Sequence, residues 1–275
     1  MTVMVIRLSL LFFLVWMLSA SAETIRVVGS STLLPVISEA ASRFANTHPG
    51  TVITVSGGGS GVGVAAMIRG SADLGMISRS LTPHEARQLQ GRVEPIPIAK
   101  DAVAVMVSKA VFISGVRALS AEQIAAIYRG RIRNWKEVGG LDSPILVIDK
   151  EGGRGTRHVF AETILGDARA RAPGAVLVAG SNNEMQTLIA RSDRAIGILS
   201  IAWGNDSVRA LALQTSQRSI FPDADNIVAG HYPLQRDLVL LTPRGAVTGL
   251  KDFIGFLLSP EGQAIVVENG YLPLR

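Results

Sequence analysis

Three times along this chain a β-branched segment runs into a short loop of glycine and hydroxyl residues and then into helix formers. That repeat limits the fold more than any other feature. The first unit is residues 24–28, then Gly29-Ser30-Ser31-Thr32, then a helical pattern over residues 34–46. The second is residues 51–55, the glycine stretch 57–63, and a helical pattern to Arg69. The third is residues 144–148, Lys150-Glu151-Gly152-Gly153-Arg154-Gly155-Thr156, and a helical pattern to Leu165. Strand, loop and helix in series predict a parallel sheet with crossover helices, an α/β fold.

Other punctuation fits that frame. Residues 73–77 form a short apolar strand ending at Ser78-Arg79, and residues 195–199 and 237–241 are further strands. Capping boxes at Thr82-Pro83-His84-Glu85 and Ser120-Ala121-Glu122-Gln123 start two helices, the second closed by Gly130. Ser181 caps a third, and Ser259-Pro260 opens a last one that ends near Gly270. Residues 93–107 are one long extended stretch, interrupted by two prolines and by Lys100-Asp101. It reads as a strand leaving the first unit and crossing into a second.

The start of the chain is a targeting signal. Arg7 precedes an apolar run over residues 8–18 and then Ser19-Ala20-Ser21-Ala22. The run is short for a membrane span and has the small-residue signature of a secretory signal, cut after Ala22. The chain has no cysteine, which excludes disulfides, thiolate chemistry and lipid attachment through an N-terminal Cys. A hydrophobic content of 48% is ample for cores without such staples. The net charge of +5 suits an anionic ligand, but there is no dense Lys/Arg run, and 5% aromatics cannot build a base-stacking platform.

The loops are where chemistry is expected. A helix N-terminus presents unpaired N–H groups and partial positive charge, glycine allows close approach of the backbone, and hydroxyls add donors. For a single loop, ordinary helix capping explains the same residues. Three loops in one chain, with Arg79 and Arg154 beside them, favour an anion site. Enzyme patterns fail by contrast. Gly58-Gly59-Ser60-Gly61-Val62 lacks the second glycine of a nucleophile elbow, and no Gly-Lys pair exists for a P-loop. Gly61-x-Gly63-x-x-Ala66 is a loose dinucleotide pattern whose acid, Asp73, comes too early. His48, His84, His158 and His231 are spread without metal-ligand spacing, so neither a metal nor a cofactor is expected.

The segments "GSSTLLPV", "GGGSGVG", "LGMISRSLT", "IYRGRIRNWKEVGG", "GRGTRHVF", "AIGIL" and "FLLSPEGQAIVVENGYLPL" occur in an order that resembles the periplasmic phosphate-binding protein family, the solute receptors of phosphate ABC transporters. The resemblance covers essentially the whole chain after the signal. It implies a two-lobed type II binding protein, each lobe a mixed, mostly parallel sheet flanked by helices, with a two-strand hinge. Lobe 1 would take residues 23–99 and 233–275, lobe 2 residues 100–232, and the hinges would lie around residues 98–103 and 232–238. Ser31, Thr32 and Ser60 would bind phosphate from the first two loops. Ser78 takes the family's usual Asp position, followed by Arg79. Lys150 stands at the usual Arg, and Arg154, Gly155 and Thr156 complete the third loop.

The resemblance also implies a periplasmic, monomeric, non-catalytic receptor that hands phosphate to an ABC permease and binds no nucleic acid. The alternatives are another oxyanion, sulfate or arsenate, or a secreted signalling, adhesion or scavenging role. The departures matter physically. Ser78 can accept a hydrogen bond but carries no charge, Lys150 replaces a guanidinium fork by a point charge, and Arg154 offers a fork from a new position.

Overall fold

The computed structural model describes residues 23–274, so the signal expected over residues 1–22 lies outside it. The chain begins β1 (Glu23–Gly29), α1 (Leu34–Thr47), β2 (Thr51–Ser56), α2 (Ser60–Arg69), β3 (Leu74–Ile77), α3 (Pro83–Leu89) and β4 (Val93–Ser108). It continues α4 (Lys109–Ile113), β5 (Ala118–Ser120), α5 (Ala121–Tyr128), β6 (Leu146–Lys150), α6 (Gly155–Leu165), β7 (Leu177–Ala179), α7 (Asn182–Ala190) and β8 (Ala195–Ser200). After β9 (Val208–Ala210), β10 (Ala212–Gln214), β11 (Ser219–Ile220) and α8 (Ala224–Val228) come β12 (Gln235–Pro243), α9 (Thr248–Leu258) and α10 (Pro260–Glu268).

One sheet runs through the molecule in the order β2-β1-β3-β12-β4-β8-β6-β7, with β9 also on β4; β11-β10-β5 form a small second sheet. In one lobe β1 pairs in parallel with β2 and β3, and β12 returns antiparallel to β3. In the other, β6 is parallel to β7 and β8. The two lobes share β4. Its residues up to Ala102 pair with β12, and from Val103 it pairs with β8.

Composition explains that change of partner. The first part of β4 carries Pro95 and Pro97, while Ala102, Val103, Ala104, Val105, Met106 and Val107 are all 0% exposed. A strand buried on both faces must be covered by elements on both sides, as in parallel α/β sheets. One core gathers around these residues with Tyr128, Trp135, Phe160 and Ile196. The other lobe packs Val27, Ile37, Phe44, Leu74, Phe253 and Ile265 on one face of its sheet, and Val64, Met67, Ile77 and Leu241 on the other.

The expected capping boxes form at Thr82 and Ser120, and Ser181 and Ser259 cap their helices. α9 escapes a sequence reading because its N-cap is Val247, with no side-chain capping bond. β7 and β9 to β11 hold two or three residues each, too few to show a period. The strand of the third unit starts at Leu146, because Pro144 is used in an isolated bridge to Asn134.

Candidate functional site

The three glycine- and hydroxyl-containing loops follow the C-terminal ends of β1, β2 and β6 and meet beside the end of β3 and the shared strands β4 and β12. The backbone there brings the lobes into contact: the Gly61 N–H donates to the Gly153 carbonyl at 3.0 Å. Only glycine fits at two points of this seam. Gly59 has φ +97°, and a Cβ on it would strike the Arg154 side chain. A Cβ on Gly155 would collide with the hydroxyls of both Ser60 and Ser78.

The helices that begin at the seam differ from most others. α3, α5, α7 and α10 are capped by a Ser or Thr side chain, whereas α1, α2 and α6 have no side-chain capping bond. The hydroxyls in these loops are therefore not ordinary caps. They converge instead on each other: Ser30 Oγ donates to Ser78 Oγ at 2.9 Å, the Ser78 N–H donates to Ser60 Oγ at 3.0 Å, and the two hydroxyls of Ser60 and Ser78 lie 3.3 Å apart. Ser30, Thr32, Ser60, Ser78 and Thr156 are all buried.

At the centre lies a residue absent from the sequence reading. Arg236, at the start of β12, faces Asp101 of β4 in register and pairs with it through Nε at 2.9 Å and Nη2 at 2.7 Å. Both side chains are almost inaccessible, at 2% and 0% exposure. From that anchor the guanidinium donates to Thr156 Oγ1 at 3.0 Å, the Ser78 carbonyl at 3.1 Å, and Ser78 Oγ and Thr32 Oγ1 at 3.4 Å each. Thr156 belongs to one lobe and Ser78 and Thr32 to the other, so this group spans both from the strand pair between them. Ser200 Oγ donates to the remaining Asp101 oxygen at 2.8 Å. A buried ion pair of this kind is weak evidence for stability and better evidence for a role.

Lys150 is buried as well. Its ammonium donates to Asn182 Oδ1 at 2.7 Å and to the Ser181 carbonyl at 3.1 Å, while Asn182 Nδ2 donates to Thr32 Oγ1 across the seam at 3.2 Å. Burial, and then the charges of Arg236 and Arg154, push Lys150 down to about 7. A site that strains a cation in this way is one that an anion would relieve.

Of the residues expected from sequence, Thr32, Ser60, Ser78, Lys150, Gly155 and Thr156 come together here. Three others are placed differently. The Arg79 guanidinium is buried but forms a fork on Glu85, with both contacts at 2.7 Å, and also donates to the Ser80 carbonyl. Arg154 gives Nε and Nη2 to Glu151 Oε2 at 2.8 and 2.6 Å. Ser31 is half-buried at the loop's edge, while its neighbour Ser30 makes the inward contact. The guanidinium at the centre of the cluster is that of Arg236, and its fork is directed at Asp101. Its sequence signal was a pair of adjacent charges in each strand, Lys100-Asp101 and Arg236-Asp237, each followed by an apolar run.

A cavity of about 510 Å³ adjoins the cluster at Arg236, with Ile77, Arg79, His158, Pro233 and Gln235 among its walls. His158 there is held below its ordinary value by burial and by the charge of Arg79. Among the described residues no group of His, Asp and Glu could hold a metal ion, and no helix is long and apolar enough to cross a membrane.

The family model for the PBP superfamily domain matches residues 18–261. The phosphate-binding protein PstS of Bacillus subtilis is 30% identical over 258 residues, covering 92% of this chain and 82% of the relative. PstS of Borreliella burgdorferi is 27% identical over 261 residues, covering 92% and 91%. A structure from Clostridium perfringens with bound phosphate, described as a phosphate ABC transporter substrate-binding protein, superposes with a TM-score of 0.83 at 29% identity, covering 92% of this chain and 100% of that one. An ABC-type phosphate transport receptor from Vibrio cholerae gives 0.74 at 34% identity, covering 90% and 99%.

Proposed function

We infer the function from a premise of descent: the chain belongs to the PBP superfamily and, within it, to the PstS phosphate-binding proteins, and it captures inorganic phosphate between its two lobes for an ABC transporter. The observation that carries this reading is the convergence of three helix N-termini without side-chain caps on the hydroxyls held by Arg236. Helix N–H groups and hydroxyls donate to the anion, Lys150 supplies positive charge beside it, and Arg236, paired with Asp101, holds the hydroxyls in place. The family consists of solute-binding proteins rather than enzymes.

The site comprises Thr32, Ser60, Ser78, Lys150, Thr156 and Arg236, with Gly155 leaving room for the ion and Ser31 at the rim. Arg79 and Arg154 frame it through their carboxylate partners. The lobes are residues 23–99 with 233–275, and residues 100–232, and they swing about β4 near residues 98–103 and the chain near residues 232–238. Contacts from both lobes form together only when the lobes meet, so a bound anion favours closure by its differential affinity. The protein acts outside the cytoplasm as a monomer, exported by the signal over residues 1–22 and cut after Ala22, and passes phosphate to a permease.

Titration calorimetry with phosphate tests the reading. Micromolar or tighter binding at one site per chain is expected. An absence of heat at high protein concentration refutes capture.

A further inference from the structure

The segment Gly270-Tyr271-Leu272 follows α10 near the end of the chain and has no place in the anion cluster, yet it is built into the hinge. Leu272 forms an antiparallel bridge with Lys100 of β4, through N–H to carbonyl bonds of 2.8 and 3.0 Å. β12 faces Lys100 on one edge of β4, so Leu272 takes the other edge, which β8 occupies from Val103 onward. The last residues of one lobe therefore abut the end of β8 in the other. A Cβ on Gly270 would come within 3.3 Å of Ala202, in the short turn over residues 201–203 that follows β8.

From that position Tyr271 joins the two lobes. Its ring is buried in the core around β1 and α1. Its hydroxyl donates to the Thr32 carbonyl at 2.7 Å and accepts from Trp203 Nε1 at 3.3 Å. A phenol has one proton to give. Burial, and then the charge of Asp101, raise Tyr271 well above its ordinary value, so that proton stays in place. The Thr32 carbonyl is open to it because the first bond of α1 runs from the Ile37 N–H to the Leu33 carbonyl. Thr32 is thus held at both ends, its carbonyl by Tyr271 and its hydroxyl by Asn182 and Arg236. Trp203 is anchored in its own lobe by Gln186 Nε2, which donates to the Trp203 carbonyl at 2.6 Å.

Resting on the reading of this site as a phosphate site, we propose that Tyr271 is a positioning residue for capture, tying the first anion loop, through Thr32, to Trp203 of the opposite lobe. The Trp203 bond crosses between the lobes and forms with closure, whereas the Thr32 bond stays within one lobe. An N–H given to the phenol oxygen polarises its O–H and strengthens the bond beyond it, so closure is felt at Thr32. Phosphate favours closure, and the link returns part of that preference as affinity.

Tryptophan emission and titration calorimetry with inorganic phosphate test this on the unmodified protein, Tyr271→Phe, Trp203→Phe and the double variant. Outside the expected signal the tryptophans are Trp135 and Trp203. Trp135 is buried with its N–H on the Arg194 carbonyl, so a phosphate-dependent signal reports Trp203. Phosphate should change the emission of the parent but not of Trp203→Phe. Tyr271→Phe keeps the ring and removes both bonds, and its phosphate affinity should fall about tenfold, with a smaller emission change. Trp203→Phe removes only the crossing bond and should lose about threefold. Both variants break one link, so the double variant should bind within about twofold of Tyr271→Phe.

A Tyr271 that served the core alone would lower the melting temperature and leave affinity and emission unchanged. Affinity of Tyr271→Phe within about twofold of the parent, or single losses that multiply in the double variant, would overturn the link while the phosphate reading stands. So would phosphate binding to the parent without any change in emission. Should a melting curve show that Tyr271→Phe does not fold, Trp203→Phe decides: a loss of about threefold supports the link, and unchanged affinity overturns it. If phosphate does not bind the parent at all, the phosphate reading fails and the proposal falls with it.

Discussion

Replacing Arg236 by methionine keeps the volume of the side chain roughly constant and removes its charge. Asp101, at 0% exposure, would be left with Ser200 Oγ as its remaining hydrogen-bond donor. Breaking one member of a buried pair costs about 3–5 kcal/mol, because the other charge stays buried. For a chain of this size that is a fall in melting temperature of roughly 6–20 °C. Binding suffers separately. The guanidinium orients Thr32, Ser78 and Thr156, and the loss of charged hydrogen bonds worth about 1.5–3 kcal/mol predicts a phosphate affinity lower by about tenfold to a hundredfold or more.

The double variant Arg236→Met/Asp101→Leu separates the two effects. Apolar replacement of a whole buried pair is often neutral or stabilising, so most of the lost stability should return, while binding should not. Chemical denaturation followed by circular dichroism, with calorimetry on the same preparations, reads both. A single variant that melts within about 2 °C of the parent, or a double variant that recovers phosphate binding, would refute the assignment of Arg236.

Gly155→Ala should leave each lobe folded but prevent the seam from closing, since the added Cβ meets only the Ser60 and Ser78 side of the other lobe; phosphate affinity should drop by at least about a hundredfold, with little change in the unliganded melting curve. Lys150 sits at about 7 in the folded protein and at 10.5 when free, so the unfolded chain holds a proton the folded one lacks between those values. Unliganded stability should therefore rise with pH across that window and decline as pH falls toward about 7, and Lys150→Met should abolish the slope in denaturation series. An anion raises Lys150 again, so binding above about pH 7 should take up protons, seen as calorimetric heats that differ between buffers of unlike ionisation enthalpy. Arg79→Ala and Arg154→Ala should change phosphate affinity by less than about threefold, since their forks rest on Glu85 and Glu151; a tenfold loss in either would return that arginine to the site.

The three strand-loop-helix units, the capping boxes at Thr82 and Ser120, and the glycine loops were legible because each depends on neighbours within a few residues. So were most of the hydroxyls, since a small polar loop before a helix looks the same wherever it lies. The placement of charge was not. Arg79 and Arg154 looked like site residues from their position after a strand and in a glycine loop, yet each has a carboxylate nearby in sequence that takes its guanidinium: Glu85 six residues on, and Glu151 three residues back.

By itself, then, the sequence determined an α/β chain with glycine and hydroxyl loops at helix starts, where backbone N–H groups can donate to an anion. Only the tertiary structure decided which cation stands among them. Arg236 and Asp101 are 135 residues apart and become neighbours because β12 returns antiparallel against β4, in register at that pair. A hydrogen bond over such a separation depends on the pairing of two strands, and no spacing along the chain records it.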